Sequence, residues 1–173
     1  MENNDQSPTR FEKLPASSIL FWYRQSPERL EKEATLDEFT PTDPPLINHG
    51  ESVVWLDARR NLIGLRVIPP WEVKSSTVQS PDWSALFKVA GLDPAKWIPV
   101  EPGRDLLPYV DTRAAWTGTL PDAPNIPIRI EAAAWQGKLV FLQPVILSSN
   151  GPVNFAAASS AQPSNIILAR PLV

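Results

Sequence analysis

Residues 80–92 read SPDWSALFKVAGL and carry the clearest structural signal in the chain. Ser80 suits the N-cap of a helix, because its hydroxyl accepts a hydrogen bond from a backbone N–H of the first turn. Pro81 fits the first helical position, where no N–H is needed. Gly91 readily adopts the left-handed conformation that ends helices. The stretch therefore predicts a short helix with a defined start and end.

This predicted helix has one bulky apolar face. Four apolar residues recur at the spacing i, i+3, i+4, i+7: Trp83, Leu86, Phe87 and Ala90. That spacing places them on one side of a helix. A face of this size needs a sheet or a second helix to cover it. We therefore expect the helix to pack on the core of the protein through its aromatic side chains.

The composition is that of a folded protein without strong charge. Of 173 residues, 43% are hydrophobic, seven are Trp, and the net charge is −3. Such a mild charge gives no reason to expect nucleic acid as a partner. The absence of Cys excludes disulfides, thiol catalysis and Cys-ligated zinc. The 20 Pro residues predict short elements joined by stiff connections.

A first β-hairpin is predicted around residue 60. Residues 52–57 and 62–68 are rich in β-branched and aromatic side chains, which are typical of strands. Asp57 and Asn61 supply the turn between them, because their side chains bond to nearby backbone groups. An additional strand is predicted at 19–24, where the sequence is compact and aromatic.

A second β-hairpin is predicted over residues 128–145, with its turn near Trp135. Ile128 and Ile130 alternate with charged residues, so one face of the strand is apolar and the other polar. The charged residues are Arg129 and Glu131. They are expected to be solvated, and the alternative is that this pair faces a partner.

These elements predict an α+β fold in which antiparallel β-hairpins pack on short amphipathic helices. The expected boundaries are a flexible lead-in at 1–18, a domain at 19–147 and a low-complexity tail at 148–173. A Ser-Pro-acidic helix start precedes each hairpin, so the domain also admits two similar halves, 19–70 and 80–147. Residues 121–127 are interpreted as a proline loop.

Motifs for catalysis and cofactor binding are missing from the sequence. There is no phosphate-binding loop, dinucleotide fingerprint, nucleophile elbow or kinase signature. His49 is the only His and has no second metal ligand close by in the sequence. Most carboxylates stand at turns or caps, where structure alone explains them. The sequence therefore predicts no catalytic, cofactor-binding or metal-binding residue.

The Trp residues are the most suggestive feature for binding. Packing in the core explains most of them, and a surface that stacks on sugars or peptides is the alternative. Trp71 follows a proline and Trp135 stands in a turn, so these two are expected to be the most exposed. Together with Arg129 and Glu131, they are the weak candidates for contact with a ligand or partner.

Several blocks of the sequence also occur in a characteristic order: FWYRQSP at 21–27, DPPL at 43–46, VWLD at 54–57, PDWSALF at 81–87 with AGLD at 90–93, AAWTG at 114–118 and IRIEAA at 128–133. This order resembles a region of large bacterial membrane proteins that lies C-terminal to a serine/threonine protein kinase domain. The helix-then-hairpin units are also similar, more loosely, to small α+β modules of the PepSY type. The resemblance implies an extracytoplasmic or membrane-adjacent location in a parent protein.

The sequence departs from that family in two places. Arg60 stands where the first hairpin of the family usually carries Gly, which puts the geometry of this turn in doubt. The membrane helix expected after the domain is also missing, because residues 166–168 are apolar but too few to span a membrane. Kinase activity is not implied, since the sequence holds no kinase motif. The chain itself is expected to be soluble.

Three functions follow, in order of preference. The first is a non-catalytic sensory or regulatory module of a bacterial receptor-like kinase or related membrane protein, which binds an unknown ligand, a peptide or another domain of its own polypeptide. The second is a structural spacer or assembly module without a ligand. The third is an enzyme that acts on cell-wall or sugar substrates. A pocket would indicate the first function, an apolar interface the second, and a cluster of ionisable groups with shifted pKa values the third.

Overall fold

A computed structural model of the chain describes residues 19–30, 40–70, 80–103, 109–121, 123–148 and 151–154. The strands, in chain order, are β1 (Leu20–Gln25), β2 (Ser52–Asp57), β3 (Leu62–Val67), β4 (Ile98–Val100), β5 (Thr112–Leu120), β6 (Ala123–Trp135), β7 (Lys138–Ser148) and β8 (Gly151–Asn154). The helix α1 (Trp83–Val89) and a 3-10 turn (Pro94–Lys96) lie between β3 and β4.

All eight of these strands belong to one antiparallel sheet. Its order is β1-β2-β3-β7-β6-β5-β4, and β8 pairs with the end of β7. Both predicted hairpins form, as β2–β3 and β6–β7. They are joined into a continuous sheet because β3 also pairs with β7, where Leu65 lies opposite Leu142.

The predicted fold class is therefore wrong. Hairpins packed on several short helices were expected, but within the described residues one sheet carries a single α-helix of seven residues. The two helix-plus-hairpin halves are also wrong as a description of the fold, since their strands pair with each other. In the first half, residues 27–30 are not helical, and residues 31–39 lie outside the described part of the chain, as does the predicted lead-in at 1–18.

The helix begins two residues later than predicted. Asp82, rather than Ser80, is the N-cap, and its carboxylate accepts hydrogen bonds from the backbone N–H groups of Ser84 and Ala85 at 3.0 and 3.2 Å. Pro81 therefore precedes the cap instead of following it. A carboxylate is as good a cap as a hydroxyl, and its negative charge is also favourable at the N-terminus of a helix.

The end of α1 is the one predicted from Gly91. This glycine has a φ of +66°, in the left-handed region. Its N–H donates to the carbonyl of Lys88, and the N–H of Leu92 donates to the carbonyl of Phe87. This pair of bonds is the Schellman motif, which satisfies carbonyls that the end of a helix leaves free.

The two hairpin turns use different chemistry. In the first, the Asp57 carboxylate accepts hydrogen bonds from the backbone N–H groups of Arg59 and Asn61, both at 2.8 Å. In the second, Gln136 and Gly137 both have positive φ, 49° and 73°, as a two-residue type I′ turn requires. Local sequence was sufficient to predict both turns.

One assignment outside the hairpins was wrong. The predicted proline loop at 121–127 is largely strand, because β6 begins at Ala123 and pairs with the end of β5. Within the predicted tail at 148–173, the described residues 151–154 form β8. Both segments are poor in the usual sequence signals for strands, and their pairing with a neighbouring strand decides their conformation.

The core lies between α1 and the strands that it crosses. Phe87 meets Trp116 of β5 edge to face, with ring centroids 5.1 Å apart and an interplanar angle of 80°. Trp83 meets the same ring at 5.5 Å and 72°. The predicted apolar face of the helix is confirmed, since Leu86, Phe87 and Ala90 are buried. Edge-to-face aromatic contacts of this kind add to the free energy of burial.

Candidate functional site

An apolar recess lies between α1 and the sheet. Its helix side is formed by Leu86, Phe87, Ala90 and Leu92. Its sheet side is formed by Leu62, Ile63, Leu120, Ile128, Ile130, Leu142 and Pro144. These eleven residues define the recess. All of them are apolar, so a group that entered would meet hydrocarbon on every side.

The recess has room for more than a water molecule. Its cavity measures about 40 Å³, and the space including the mouth that opens to solvent is about 530 Å³. A polar site needs roughly 10–15 Å³ and several polar partners to hold a water. The lining side chains offer no such partners. The recess is therefore suited to an apolar group rather than to water.

The recess exists because the helix is shorter than the strands beneath it. The seven residues of α1 extend about 10 Å, whereas the 13 residues of β6 extend about 44 Å. The helix can cover only part of that length. Beyond it, Ile126 on β6 remains 43% exposed on the recess side of the sheet. Apolar surface thus continues from the recess toward the end of the sheet that α1 does not cover.

Arg129 and Glu131 lie on the opposite face of the sheet. Arg129 Nε donates to Glu131 Oε1, and Arg129 Nη2 donates to the backbone carbonyl of Glu101. Glu131 also accepts a hydrogen bond from the N–H of Gly103, at 3.2 and 3.3 Å to its two oxygens. The ion pair therefore holds residues 101–103 against the sheet. The expectation that Glu131 is solvated was wrong, because it is only 8% exposed.

A second charged pair holds another loop to the same face. Arg24 of β1 lies 3.5 Å from Glu51, and both side chains are almost completely buried. Arg24 also donates to the carbonyls of Pro44 and Pro45. These bonds attach the loop before β2 to the edge of the sheet. This pair was not predictable from the sequence, since its two members are distant in the chain.

Glu51 is a buried carboxylate whose environment shifts its pKa in a defined direction. Burial by itself raises the pKa of Glu51. Hydrogen bonds from the backbone N–H groups of Asn48 and Ile47, together with the charge of Arg24, outweigh burial and hold the pKa of this carboxyl below its ordinary value. The bonds to Ile47 and Asn48 measure 2.7 and 3.1 Å. Glu51 is thus charged in the folded protein at neutral pH.

Arg66 forms a further polar cluster on this face. Its Nη2 donates to Gln143 Oε1 at 3.1 Å, and its guanidinium lies 5.8 Å from the centroid of the Phe141 ring. Burial raises the pKa of Tyr109, and the positive charge of Arg66 opposes that rise. The cluster joins β3 to β7 at the position where the two hairpins meet. Its contacts therefore have a structural role, which is to connect the two strands.

The structure brings together only two of the four predicted contact residues. Arg129 and Glu131 form the ion pair described above. Trp135 is half-buried at the end of β6, about 13 Å further along the strand from Glu131. Trp71 lies outside the described residues. None of the three described candidates lines the apolar recess.

Within the described residues, no three His, Asp or Glu side chains come together as the ligands of a metal ion would. None of the helices in that part of the chain has the length and apolarity that crossing a membrane requires.

Comparison with known proteins returned no relatives. A scan with protein-family models, a search of curated proteins and a search of solved structures each gave no match. The resemblance to the kinase-associated region of bacterial membrane proteins therefore stays a prediction.

Sequence reasoning missed the recess because its residues come from five separate elements. A weak signal was present in Leu62 and Ile63, two adjacent apolar residues that break the alternation expected of a half-exposed strand. A second was Pro144, a proline within a predicted strand, which marks an interruption of pairing. Neither signal indicates where the other elements pack.

Proposed function

We propose that this chain is a non-catalytic binding module that takes an apolar ligand into the recess between α1 and the sheet. The observation that carries the proposal is the lining of the recess, which is apolar throughout. The enclosed part of the recess measures about 40 Å³, and the rest of it opens to solvent. Ligand pockets are mostly apolar, and an enclosed volume of this size suits one end of an apolar ligand whose remainder lies in the open mouth.

The roles of the charged side chains support binding over catalysis. Arg129 and Glu131 hold residues 101–103, and Arg24 and Glu51 hold the loop before β2. These groups lie on the face of the sheet opposite the recess. An apolar lining on one face and structural ion pairs on the other favour recognition by shape and hydrophobicity. They place no acid–base pair beside a bound ligand.

The position of α1 supports a regulatory role. Leu86 and Phe87 line the recess, while the next two residues of the helix, Lys88 and Val89, are exposed on its outer side. A bound ligand would contact the inner side of the helix and shift its position. The outer side of the helix, which another domain could contact, would then move as well. A ligand shifts a conformational equilibrium when it binds one state better than another. By resemblance, the parent protein is a bacterial signalling protein and the module is extracytoplasmic or membrane-adjacent.

Native mass spectrometry of the full chain, purified from bacterial cells, tests this proposal. We expect an adduct of defined mass that is lost on denaturation. Ala90→Leu should abolish the adduct, because Ala90 lines the recess and a larger side chain would fill it. Val89→Leu is the matched control, since Val89 is the adjacent residue, is 52% exposed and does not line the recess.

Equal adduct levels in the Ala90 and Val89 variants would contradict the proposal, as would a protein without any adduct that also fails to take up added dodecanoic acid. The second candidate function is an assembly module. The two outermost described strands of the sheet, β1 and β4, favour it, because an exposed strand edge can pair with another chain and Tyr23 and Ile98 on these strands are 62% and 67% exposed. A dimer without an adduct would support that function.

A further inference from the structure

The enclosed part of the recess is too small for a ring. It measures about 40 Å³. An apolar cavity that holds a benzene molecule measures roughly 150 Å³. A ring system would therefore enter only by displacing the surrounding side chains, and close-packed interiors resist such displacement. The narrow end of a hydrocarbon chain makes no such demand.

The rim of the recess is more exposed than its interior. The rim is formed by five half-buried lining residues: Leu62, Ile63, Leu92, Leu120 and Pro144. On the sheet side of the interior, Ile128 and Ile130 are buried. A ligand can therefore reach the interior only past this apolar rim.

Three isoleucine side chains lead from the interior of the recess to the surface. Ile130, Ile128 and Ile126 are alternate residues of β6, so they lie on the same face of the sheet. We call them the isoleucine row. Its length is about 14 Å, because the first and last of these residues are four positions apart in a strand. Their exposed fractions are 6%, 2% and 43%, so the row is covered at one end and open at the other.

The open end of the isoleucine row lies close to the rim. Pro127 of β6 pairs with Thr119 of β5. Ile126 precedes Pro127, and Leu120 follows Thr119. Because the paired strands run in opposite directions, Ile126 and Leu120 are neighbours. The row therefore connects the interior, through the rim at Leu120, to solvent.

None of the residues that line the recess or form the isoleucine row carries a charge. Arg129 interrupts the row in sequence, but it lies on the opposite face and donates to Glu131 and to the carbonyl of Glu101. A charged group placed among the lining residues would lose its hydration without gaining a partner, which is costly. A polar head must stay outside, so the ligand enters with its hydrocarbon end first.

We propose that the ligand of the recess is an amphiphile with a single unbranched hydrocarbon chain. This inference rests on the proposed function and narrows it to a ligand class. The end of the chain occupies the enclosed part, the middle lies along the isoleucine row, and the head reaches solvent beyond Ile126. Because the site contacts only hydrocarbon, it selects the shape and length of the chain rather than the charge of the head.

Calorimetric titration of the full chain with two acids tests the shape of the ligand. Undecanoic acid and 1-adamantanecarboxylic acid have the same number of carbon atoms and the same head, but only the first is a chain. Undecanoic acid should bind at least about tenfold more tightly, which is less than two fully buried methylene groups contribute. Undecylamine should bind about as tightly as undecanoic acid. Equal affinity for the chain and the cage overturns the inference.

Ile126→Ser tests where the chain lies. It should weaken the binding of undecanoic acid by about fivefold, as expected for the loss of contact with one or two methylene groups. Octanoic acid is too short to reach Ile126 from the interior, so its affinity should not change. Val89→Ser is the matched control, because Val89 is also β-branched, is 52% exposed and does not line the recess. Circular dichroism verifies that both variants are folded. An equal effect of Ile126→Ser on the two acids overturns the placement.

The two proposals fail in different ways. If neither acid binds the wild-type chain, the proposed binding function is refuted together with the inference. If the cage binds as tightly as the chain and Ala90→Leu abolishes both, the binding function stands and only the ligand class is refuted. If binding of undecanoic acid survives Ala90→Leu, the chain binds outside the recess, and the inference is refuted.

Discussion

The amide group of Asn61 lies against the backbone of Gly91. A Cβ atom at Gly91 would come within 2.5 Å of Asn61 Oδ1. The same Asn61 side chain donates from Nδ2 to Asp57 Oδ2 at 2.9 Å. The turn of the first hairpin is thus in direct contact with the C-terminal end of α1, and this contact needs a residue without a side chain.

Gly91→Ala should lower the free energy of unfolding by about 2 kcal/mol or more. Its φ of +66° costs a residue with a Cβ roughly 1–2 kcal/mol, and the contact with Asn61 adds to that cost. In the background of Asn61→Ala, the obstacle is gone and the loss should fall to about 1 kcal/mol. Urea unfolding of the two single variants and the double variant measures this coupling. Strict additivity would show that the Asn61 contact carries no energy.

Acid should destabilise the protein through Glu51. The folded-state pKa of Glu51 is held below the ordinary value of 4.5, so its contribution to stability is complete above that value. It is lost as the pH falls through the lower pKa of the folded state. Glu51→Gln leaves Arg24 buried without a counter-charge and should cost about 3 kcal/mol at pH 7.

Urea unfolding from pH 7 down to pH 3 measures the effect. The difference between wild type and Glu51→Gln should be constant near neutrality and should shrink below about pH 4.5. Glu28→Gln removes an exposed carboxylate and should change stability by less than about 0.5 kcal/mol at pH 7. A difference between wild type and Glu51→Gln that stays the same down to pH 3 would contradict the role given to this carboxylate.

Arg60→Gly should stabilise the first hairpin. Arg60 has a φ of +69°, which costs a residue with a side chain roughly 1–2 kcal/mol. Glycine avoids this cost but loses about 0.5–1 kcal/mol to the entropy of the unfolded chain. The expected net gain is about 0.5 kcal/mol.

Thermal unfolding of Arg60→Gly and Arg59→Gly provides the comparison. Arg59 is in the same turn and is exposed, but it is not among the residues with positive φ. Its replacement by Gly should therefore destabilise the protein by about 0.5–1 kcal/mol. Opposite signs for the two variants are expected, and a loss of stability in both would contradict the strain at Arg60.

Features set within a few residues were predictable from the sequence. Gly91 ends α1, and Asp57 organises the first turn as expected. Asp93 caps the short turn after the helix by accepting from the N–H of Ala95. Each of these depends on one side chain or one φ angle and a backbone group at most four residues away, so composition and spacing are sufficient evidence.

Features that join distant segments were not predictable. The pairing of β3 with β7 turns two hairpins into one sheet, but the residues that pair there are 77 positions apart, as Leu65 and Leu142 are. A strand in which apolar and polar residues alternate can pair with many other strands. The same limitation applies to Glu131. It was predicted to be solvated, but the backbone N–H of Gly103, 28 residues away, donates a hydrogen bond to its carboxylate.

Short-range signals in the chain specify its local conformations: the end of the helix, the chemistry of the two hairpin turns and the apolar face that Phe87 occupies. These follow from short-range sterics and hydrogen bonds. Tertiary packing, in contrast, makes the hairpins share one sheet, buries the ion pairs that hold two loops and forms the apolar recess beside Pro144. Those features depend on which surfaces meet, and burial of apolar area is non-directional, so it does not specify a partner from sequence alone.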